Sequence, residues 1–375
     1  MHNIRILLIA LASVLFGSLG SANVVVRPCF GHPFIFPDRI VFTSVDRTRL
    51  IALDKHGGLQ WEVGFSERVD PQRLDESAVV VQTGRQVLRV DVKDGKKTML
   101  LTLPAFQAYV MDADLRYSFS VDTRPGHRDI QFLAFGRSTP LWHVSNVDSI
   151  EFVTPKTVVG LATVRKTYPN SSFTVTSATL NGYDRGNGTL RWSLPLAGSP
   201  PDAVRSVGVG NLLAVINGAF GSTLLVVDPE MGEVLSRRTG QYLDLSDHGT
   251  GLAVLESADA PGEATLFFCD LPACTPKTRL HLSAKEILRF RLYGDYVITA
   301  GIYDAACFSL SDGRKLWQRG QLEWSLPFDD EMIITDYDRS TNSSRIVSIN
   351  LRTGVHTVLF AKTVTKHDER AFRPW

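Results

Sequence analysis

Short runs of β-branched and other apolar residues recur along the chain, and Asp, Asn and Gly separate them. In the clearest copy, Leu50–Trp61, an apolar run leads into Asp54, a pair of glycines and then Trp61. Further β-branched runs stand between such copies, at residues 78–82, 157–160, 212–216, 296–299 and 332–335. Short apolar runs bounded by turn residues are typical of strands joined by hairpins. The pattern therefore predicts an all-β chain in which these intervening runs are inner or second strands.

The run, turn and following hydrophobic residue form a repeat. Its eight copies can be anchored at Asp54, Asp91, Phe135, Asp184, Asp228, Asp270, Ser311 and Asn350. The anchors lie 37 to 49 residues apart, close to the length of about 40–45 residues typical of a four-stranded propeller blade. One such meander is too small to bury its own faces, so neighbouring meanders must stack. We predict a single eight-bladed β-propeller of four-stranded antiparallel blades over residues 23–361, with seven blades as the alternative, and a tail or closing segment at 362–375.

Both ends of the chain carry further predictions. Residues 1–5 form a short positively charged segment, residues 6–16 form an apolar run, and small residues predominate from there to Ala22. This order is typical of a cleaved secretory signal, and the apolar run is too short to span a bilayer. We predict an exported protein, periplasmic or secreted, with no integral membrane segment once residues 1–22 are removed. Because the ends outside the anchors together slightly exceed one repeat, we expect strands from both termini to share one blade and close the ring.

The four cysteines, Cys29, Cys269, Cys274 and Cys307, fit an oxidising compartment. Cys269 and Cys274 enclose four residues that include a proline turn, so this is the favoured disulfide. Cys29 and Cys307 then remain as a possible second pair, although spacing alone leaves the connectivity open. Zinc sites use C-x₂-C pairs or interleaved histidines, and these spacings supply neither.

The copies ending in tryptophan identify a family resemblance. The run Ala-x-Asp-x-x-x-Gly-x-x-x-Trp around Asp54 and its later copies resembles the tryptophan docking repeat of the PQQ-like β-propeller superfamily. In such propellers the tryptophan packs between blades and a glycine turn makes room for it. The resemblance assigns this structural role to Trp61, Trp142, Trp192 and Trp317 and to Gly58, Gly188 and Gly313. The alternative role for the four tryptophans is to stack on a bound ligand.

The superfamily contains quinone-dependent dehydrogenases as well as non-enzymatic scaffolds of outer-membrane assembly. Resemblance to the enzymes would imply a pair of adjacent cysteines, and the sequence contains no Cys-Cys. The sequence also lacks a G-x-S-x-G nucleophile elbow and the H-x-H and H-E-x-x-H spacings of metal sites. The acidic run Asp336–Asn342 fits a solvated β-turn better than a calcium loop, since it lacks the mid-loop glycine and late glutamate. We therefore expect no catalytic residues, metal or cofactor.

The charge balance adds one exclusion. With 40 basic and 39 acidic residues the net charge is +1, too small to favour nucleic-acid binding. The sequence predicts a monomeric scaffold that binds another protein or an envelope component. The alternative is an enzyme with its active site in the central channel, either a lyase or hydrolase using histidines and carboxylates or a divergent quinone oxidoreductase.

Overall fold

Eight four-stranded antiparallel sheets follow one another along the chain in the computed structural model. The structure describes residues 30–31, 33–105, 107–112, 117–122, 129–134, 137, 139–167, 174–196, 201, 203–207, 212–217, 222–248, 251–258, 260, 262–285, 287–301, 304–320, 327–328, 331–338 and 340–365. The described residues form no helix long and apolar enough to cross a membrane. The fold is an all-β, eight-bladed propeller, and the seven-bladed alternative is wrong.

Each blade is a meander whose strands pair in chain order. Blades 1 to 4 contain β1 Phe34–Ile35, β2 Ile40–Thr43, β3 Arg49–Leu53 and β4 Leu59–Gly64; β5 Gln72–Asp75, β6 Ala78–Thr83, β7 Gln86–Asp91 and β8 Lys97–Thr102; β9 Gln107–Asp112, β10 Tyr117–Asp122, β11 Ile130–Ala134 and β12 Pro140–Val144; β13 Ser149–Val153, β14 Thr157–Thr167, β15 Thr174–Asp184 and β16 Leu190–Leu196. Blades 5 to 8 contain β17 Ala203–Val207, β18 Leu212–Asn217, β19 Thr223–Val227 and β20 Val234–Thr239; β21 Tyr242–His248, β22 Gly251–Ser257, β23 Glu263–Asp270 and β24 Thr275–Ser283; β25 Arg289–Tyr293, β26 Tyr296–Ala300, β27 Asp304–Ser309 and β28 Lys315–Gly320; β29 Pro327–Phe328, β30 Glu331–Asp338, β31 Ser343–Asn350 and β32 His356–Thr363. The β-branched runs that stand between the repeat copies all fall in second strands.

The core is divided among the contacts between blades. Eight clusters of buried apolar side chains occur among the described residues, and each joins two consecutive blades. The middle strands are buried on both faces, as in β2 and β6, whereas the fourth strands alternate between exposed and half-buried positions. Each blade therefore buries its apolar faces against its neighbours, which is the physical reason for the repeat.

Ring closure differs from the sequence-based expectation. Blade 1 and blade 8 each consist of four consecutive strands, so no described strand is exchanged between the chain ends. Instead, blade 8 packs against blade 1 through one of the eight clusters, in which Phe30 and Phe42 meet Ile333 and Ile346. The Phe30 N–H also donates to Ser344 Oγ at 2.8 Å. The expectation of a shared blade is wrong because this apolar contact already joins the two end blades.

Candidate functional site

The anchor residue of each well-formed repeat shapes the turn between the third and fourth strands. In blade 4, Asp184 Oδ1 accepts a hydrogen bond from the Gly186 N–H at 2.9 Å, and the Gly188 N–H donates to Asp184 O at 2.8 Å. Equivalent side-chain bonds form at Asp54, Asp91, Asp228 and Asn350. Asp and Asn favour such turns because their short side chains bond the backbone two residues ahead.

A β-bulge lies between the third and fourth strands of every blade. In blade 4, Gly182 pairs with Trp192 and Tyr183 with Leu190, which leaves Arg191 as the extra residue. Trp61, Trp142 and Trp317 likewise follow the extra residue of their blades. A bulge changes the direction of the neighbouring side chains, so it helps to turn each of these rings towards the next blade.

Each of these tryptophans contacts the following blade in the same way. The indole N–H donates to a turn carbonyl of that blade, from Trp61 to Val92 O at 2.9 Å, Trp142 to Arg185 O at 2.7 Å, Trp192 to Pro229 O at 3.0 Å and Trp317 to Leu351 O at 2.8 Å. The rings lie against glycines with positive φ in the same turns, at Gly95, Gly188, Gly232 and Gly354. These contacts are those of blade packing.

The three glycines singled out from the sequence lie in different environments. A Cβ on Gly188 would lie 2.7 Å from the Trp142 ring, whereas one on Gly313 would meet His281 O at 3.0 Å. In blade 1 the positive φ belongs to Gly57, and a Cβ on Gly58 would meet the Asp54 carboxylate instead. The blade 1 turn is closed by a hydrogen bond from the Asp54 N–H to Gly58 O. The corresponding bond in blade 4 runs from the Asp184 N–H to Thr189 O, so the blade 1 turn is one residue shorter.

The three described cysteines form one disulfide and leave one free thiol. The Cys269–Cys274 disulfide closes the turn between β23 and β24, and Cys274 has a φ of 50° where other blades have glycine. In the preceding blade, Ser236 takes the tryptophan position, and its hydroxyl donates to Ala273 O at 3.0 Å. Cys307 is a buried free cysteine, 3.4 Å from Leu351 O. The pairing of Cys29 with Cys307 is therefore not formed, and Cys29 itself lies outside the described residues.

A groove lies between blades 3 and 4 among the described residues. Its volume is about 580 Å³, and it is lined by Phe132, Leu133, Leu141, Pro155, Lys156, Asp184, Arg185, Gly186 and Arg191. Leu141 and Arg191 are the extra residues of the bulges in their blades. Leu141 is 58% exposed, although its neighbour Trp142 is buried. The bulge thus leaves one apolar side chain at the groove surface.

The walls of the groove are fixed by contacts across and within blades. Phe132 stacks on Trp142 with ring centroids 4.8 Å apart, which forms the apolar side. In blade 4, the Arg185 N–H donates to Lys156 O at 2.9 Å, and Arg185 Nη1 donates to Thr154 O at 3.1 Å. Lys156 is exposed. The groove therefore combines an apolar side with three cationic side chains and the single carboxylate of Asp184.

A polar network around Glu230 connects Arg191, at the groove, to blade 5. Glu230 accepts hydrogen bonds from Thr154 at 2.5 Å and from Thr157 at 2.7 Å, and it lies 3.3 Å from Arg191. Burial favours a higher pKa for Glu230, but these hydroxyls and Arg191 outweigh it and hold the pKa below the ordinary value. The carboxylate is therefore ionised near neutral pH and keeps Arg191 at the edge of the groove.

Other candidate groups are not brought together. The histidines whose side chains are described lie in the blade 1 turn, His56, or on outermost strands, at His143, His281 and His356. None of these four belongs to an innermost strand. Asp336 and Asp338 both pair with Arg345, and Ser340 N–H donates to Asp338 at 2.9 Å. Arg345 occupies the position that a cation would need between these carboxylates.

These features define a PQQ-like β-propeller built from tryptophan-docked blades. A family model described as outer membrane protein assembly factor BamB matches residues 17–212. The match spans more than half of the chain, and the chain belongs to this family.

Several solved structures of low sequence identity are similar to this chain. The computationally designed Ika8 protein has a TM-score of 0.51 at 15% identity, covering 88% of this chain and 96% of its own. BamB from Moraxella catarrhalis has a TM-score of 0.47 at 12% identity, covering 87% and 95%. The dihydro-heme d1 dehydrogenase NirN in complex with DHE has a TM-score of 0.53 at 12% identity, covering 88% and 77%. No curated protein matches the sequence.

Proposed function

We infer that this chain is an exported, non-catalytic scaffold that binds another protein of the cell envelope through the groove between blades 3 and 4. The observation that carries this function is the groove itself, in which the exposed Leu141 shares the lining with a cationic wall formed by Lys156, Arg185 and Arg191. Apolar anchors surrounded by polar groups are typical of protein-binding sites. The family description supports a partner within the outer-membrane protein assembly machinery.

The chemistry of the groove selects the kind of segment it binds. Leu141 is the exposed apolar side chain of the groove, over the buried Phe132 and Leu133. Lys156 and Arg185 line the same groove. Arg191 is held by Glu230, which reduces its charge towards a ligand. We expect a segment that places one apolar side chain on Leu141 and a carboxylate near Lys156.

Site-specific photo-crosslinking tests this function in cells. A benzoylphenylalanine at position 141 is compared with one at position 99, because Leu141 and Met99 are 58% and 57% exposed and both lie on the fourth strand of a blade. We expect one discrete adduct from position 141, identified by mass spectrometry as an envelope protein, and none from position 99. Equal adducts at both positions, or none at 141, would refute the groove as the binding site.

A charge-reversal pair tests the cationic wall. Lys156→Glu adds a carboxylate to the groove, whereas Lys93→Glu makes the same change in an exposed turn of blade 2. Lys156→Glu should reduce the position 141 adduct severalfold because like charges at an interface are unfavourable. Lys93→Glu should leave it unchanged. If the two substitutions act alike, the cationic wall has no part in binding.

A further inference from the structure

The contact between blades 5 and 6 departs from the tryptophan-docked contacts. Two residues beyond a docking tryptophan, the fourth strand again points towards the following blade. That position is aliphatic in three of the tryptophan-bearing blades, at Val63, Val144 and Leu194. Arginine replaces it in blade 7, which keeps its tryptophan, and in blade 5, which does not. In blade 5 a serine and an arginine, Ser236 and Arg238, therefore stand where an indole and an aliphatic side chain are usual.

Blade 6 presents a second arginine to the same contact. Arg238 pairs with Leu224 across β19 and β20, and Arg279 pairs with Phe267 across β23 and β24. Paired residues of antiparallel strands point to the same face, and Leu224 and Phe267 both belong to the cluster between these blades. Because β20 and β24 are outermost strands, both arginines lie at the rim of the contact. Their Cζ atoms are 5.9 Å and 6.0 Å from the centre of the Phe267 ring.

The charges of the two arginines are not neutralised by an ion pair among the described residues. Arg238 Nη1 donates to Cys274 O at 3.2 Å, and Arg238 Nε is buried with no hydrogen-bond partner. Arg279 is exposed. Two like charges beside one ring repel each other, and a partly buried charge is unfavourable unless it is paired. An anion held between the two guanidinium groups would remove both penalties.

Tyr242 and Glu256 border the inner side of the two arginines. A Cβ on Gly240 would lie 2.6 Å from Glu256 Oε1 and 2.8 Å from Tyr242 Oη, so these two groups adjoin. Burial raises the pKa of Tyr242, although its hydrogen bond with Arg238 and the charge of Arg279 act against the rise. The hydroxyl is therefore neutral, and the one carboxylate of Glu256 leaves an excess of positive charge.

We propose that the rim of the contact between blades 5 and 6 binds a phosphate group between Arg238 and Arg279. A guanidinium donates two parallel hydrogen bonds to two oxygens of an anion. One such fork occupies both oxygens of a carboxylate, whereas a phosphate monoester has three terminal oxygens and can accept from two forks. The site uses other blades than the groove, so it is a second site that does not depend on the proposed function.

Isothermal titration calorimetry of the full chain with inorganic phosphate, at constant ionic strength, tests the site. We expect saturable binding at one site, with acetate binding more weakly. Arg279→Gln and Arg238→Gln should each weaken phosphate binding about tenfold or more, and Arg279→Lys, which keeps the charge and loses the fork, should weaken it less. Arg237→Gln is the matched control, because Arg237 is exposed on the same strand and pairs with Leu225, on the blade 4 side. It should leave the affinity unchanged.

Phospholipid vesicles distinguish two sources of the phosphate. Flotation with phosphatidylcholine vesicles that contain phosphatidic acid, lost in Arg279→Gln, would assign the phosphate to a lipid headgroup. Binding of inorganic phosphate without flotation would assign it to a soluble ligand.

Three results would overturn the proposal. The first is no heat of binding with phosphate at millimolar concentration, and the second is equal affinity of the wild type and Arg279→Gln, which would indicate an adventitious ion only. The third is equal affinity for acetate and phosphate. The adduct at position 141 reports on blades 3 and 4, so failure of the phosphate site leaves the groove function standing, and failure of the groove leaves the phosphate site.

Discussion

Gly232→Ala provides a direct measure of tryptophan docking between blades 4 and 5. Gly232 has a φ of 72°, and an added Cβ would lie 2.5 to 2.7 Å from three ring atoms of Trp192. A left-handed conformation costs an L-residue about 1–2 kcal/mol, and overpacking costs about 1–3 kcal/mol, here at a half-buried contact. We therefore expect Gly232→Ala to lower the free energy of unfolding by about 2–5 kcal/mol.

The two contributions can be separated in a double-mutant cycle. Trp192→Leu removes the ring and leaves the backbone conformation of the turn, so in that background Gly232→Ala should cost only the conformational part, about 1–2 kcal/mol. The difference between the backgrounds is the steric coupling, about 1–3 kcal/mol. Each free-energy difference is obtained from the urea midpoint of unfolding, measured by circular dichroism, provided that the m value is the same for all variants.

Gly64→Ala is the matched control, because no atom lies within 4 Å of its added Cβ and its φ is not positive. Its effect should stay below about 0.5 kcal/mol, as for most surface substitutions. An equal cost of Gly232→Ala in the wild type and in Trp192→Leu would show that the ring does not restrict this turn. The assignment of Trp192 as a docking residue would then fail.

Three further predictions concern the disulfide, the free thiol and Glu230. Replacing Cys269 and Cys274 together with serine opens a short loop and should cost about 2 kcal/mol, seen as a lower urea midpoint that reductant no longer changes. Burial raises the pKa of the Cys307 thiol to about 12, so iodoacetamide at pH 8 should label it in urea and not in the native protein. The lowered pKa of Glu230 means that its stabilisation is present above the ordinary value of 4.5 and is lost as pH falls through the lower folded value. The stability advantage of the wild type over Glu230→Gln should accordingly shrink with acidification below that value, and an advantage independent of pH would contradict it.

The blade number could be predicted because each blade must bury its faces against its neighbours. That requirement forces apolar runs and turn residues to recur at one period, and the period survives even where the tryptophan is lost, as at Ser236. The Cys269–Cys274 bond could be predicted for a related reason: both residues belong to one turn, so no long-range information is needed.

The groove could not be predicted, because it depends on how two blades are aligned. In the sequence, Leu141 is an ordinary apolar residue beside Trp142. It is exposed because the bulge leaves it without a partner on the neighbouring strand. The sequence also could not show which glycine of the blade 1 turn has a positive φ. Gly57 and Gly58 are adjacent in sequence, and the shorter turn that selects Gly57 is a property of the hydrogen bonds. Local patterns specify a strand or a turn, and a shift of one residue decides which side chain faces outward.

Blade 4 combines the features that make a stable platform for binding. Among the described residues it receives the Trp142 indole from blade 3 and donates the Trp192 indole to blade 5, so it is docked by tryptophan on both sides. Glu230 of blade 5 adds further hydrogen bonds to Thr154 and Thr157. Binding surfaces are most specific where the supporting residues are held in place. The groove lies between this blade and blade 3, so part of its lining rests on a blade that is docked on both sides.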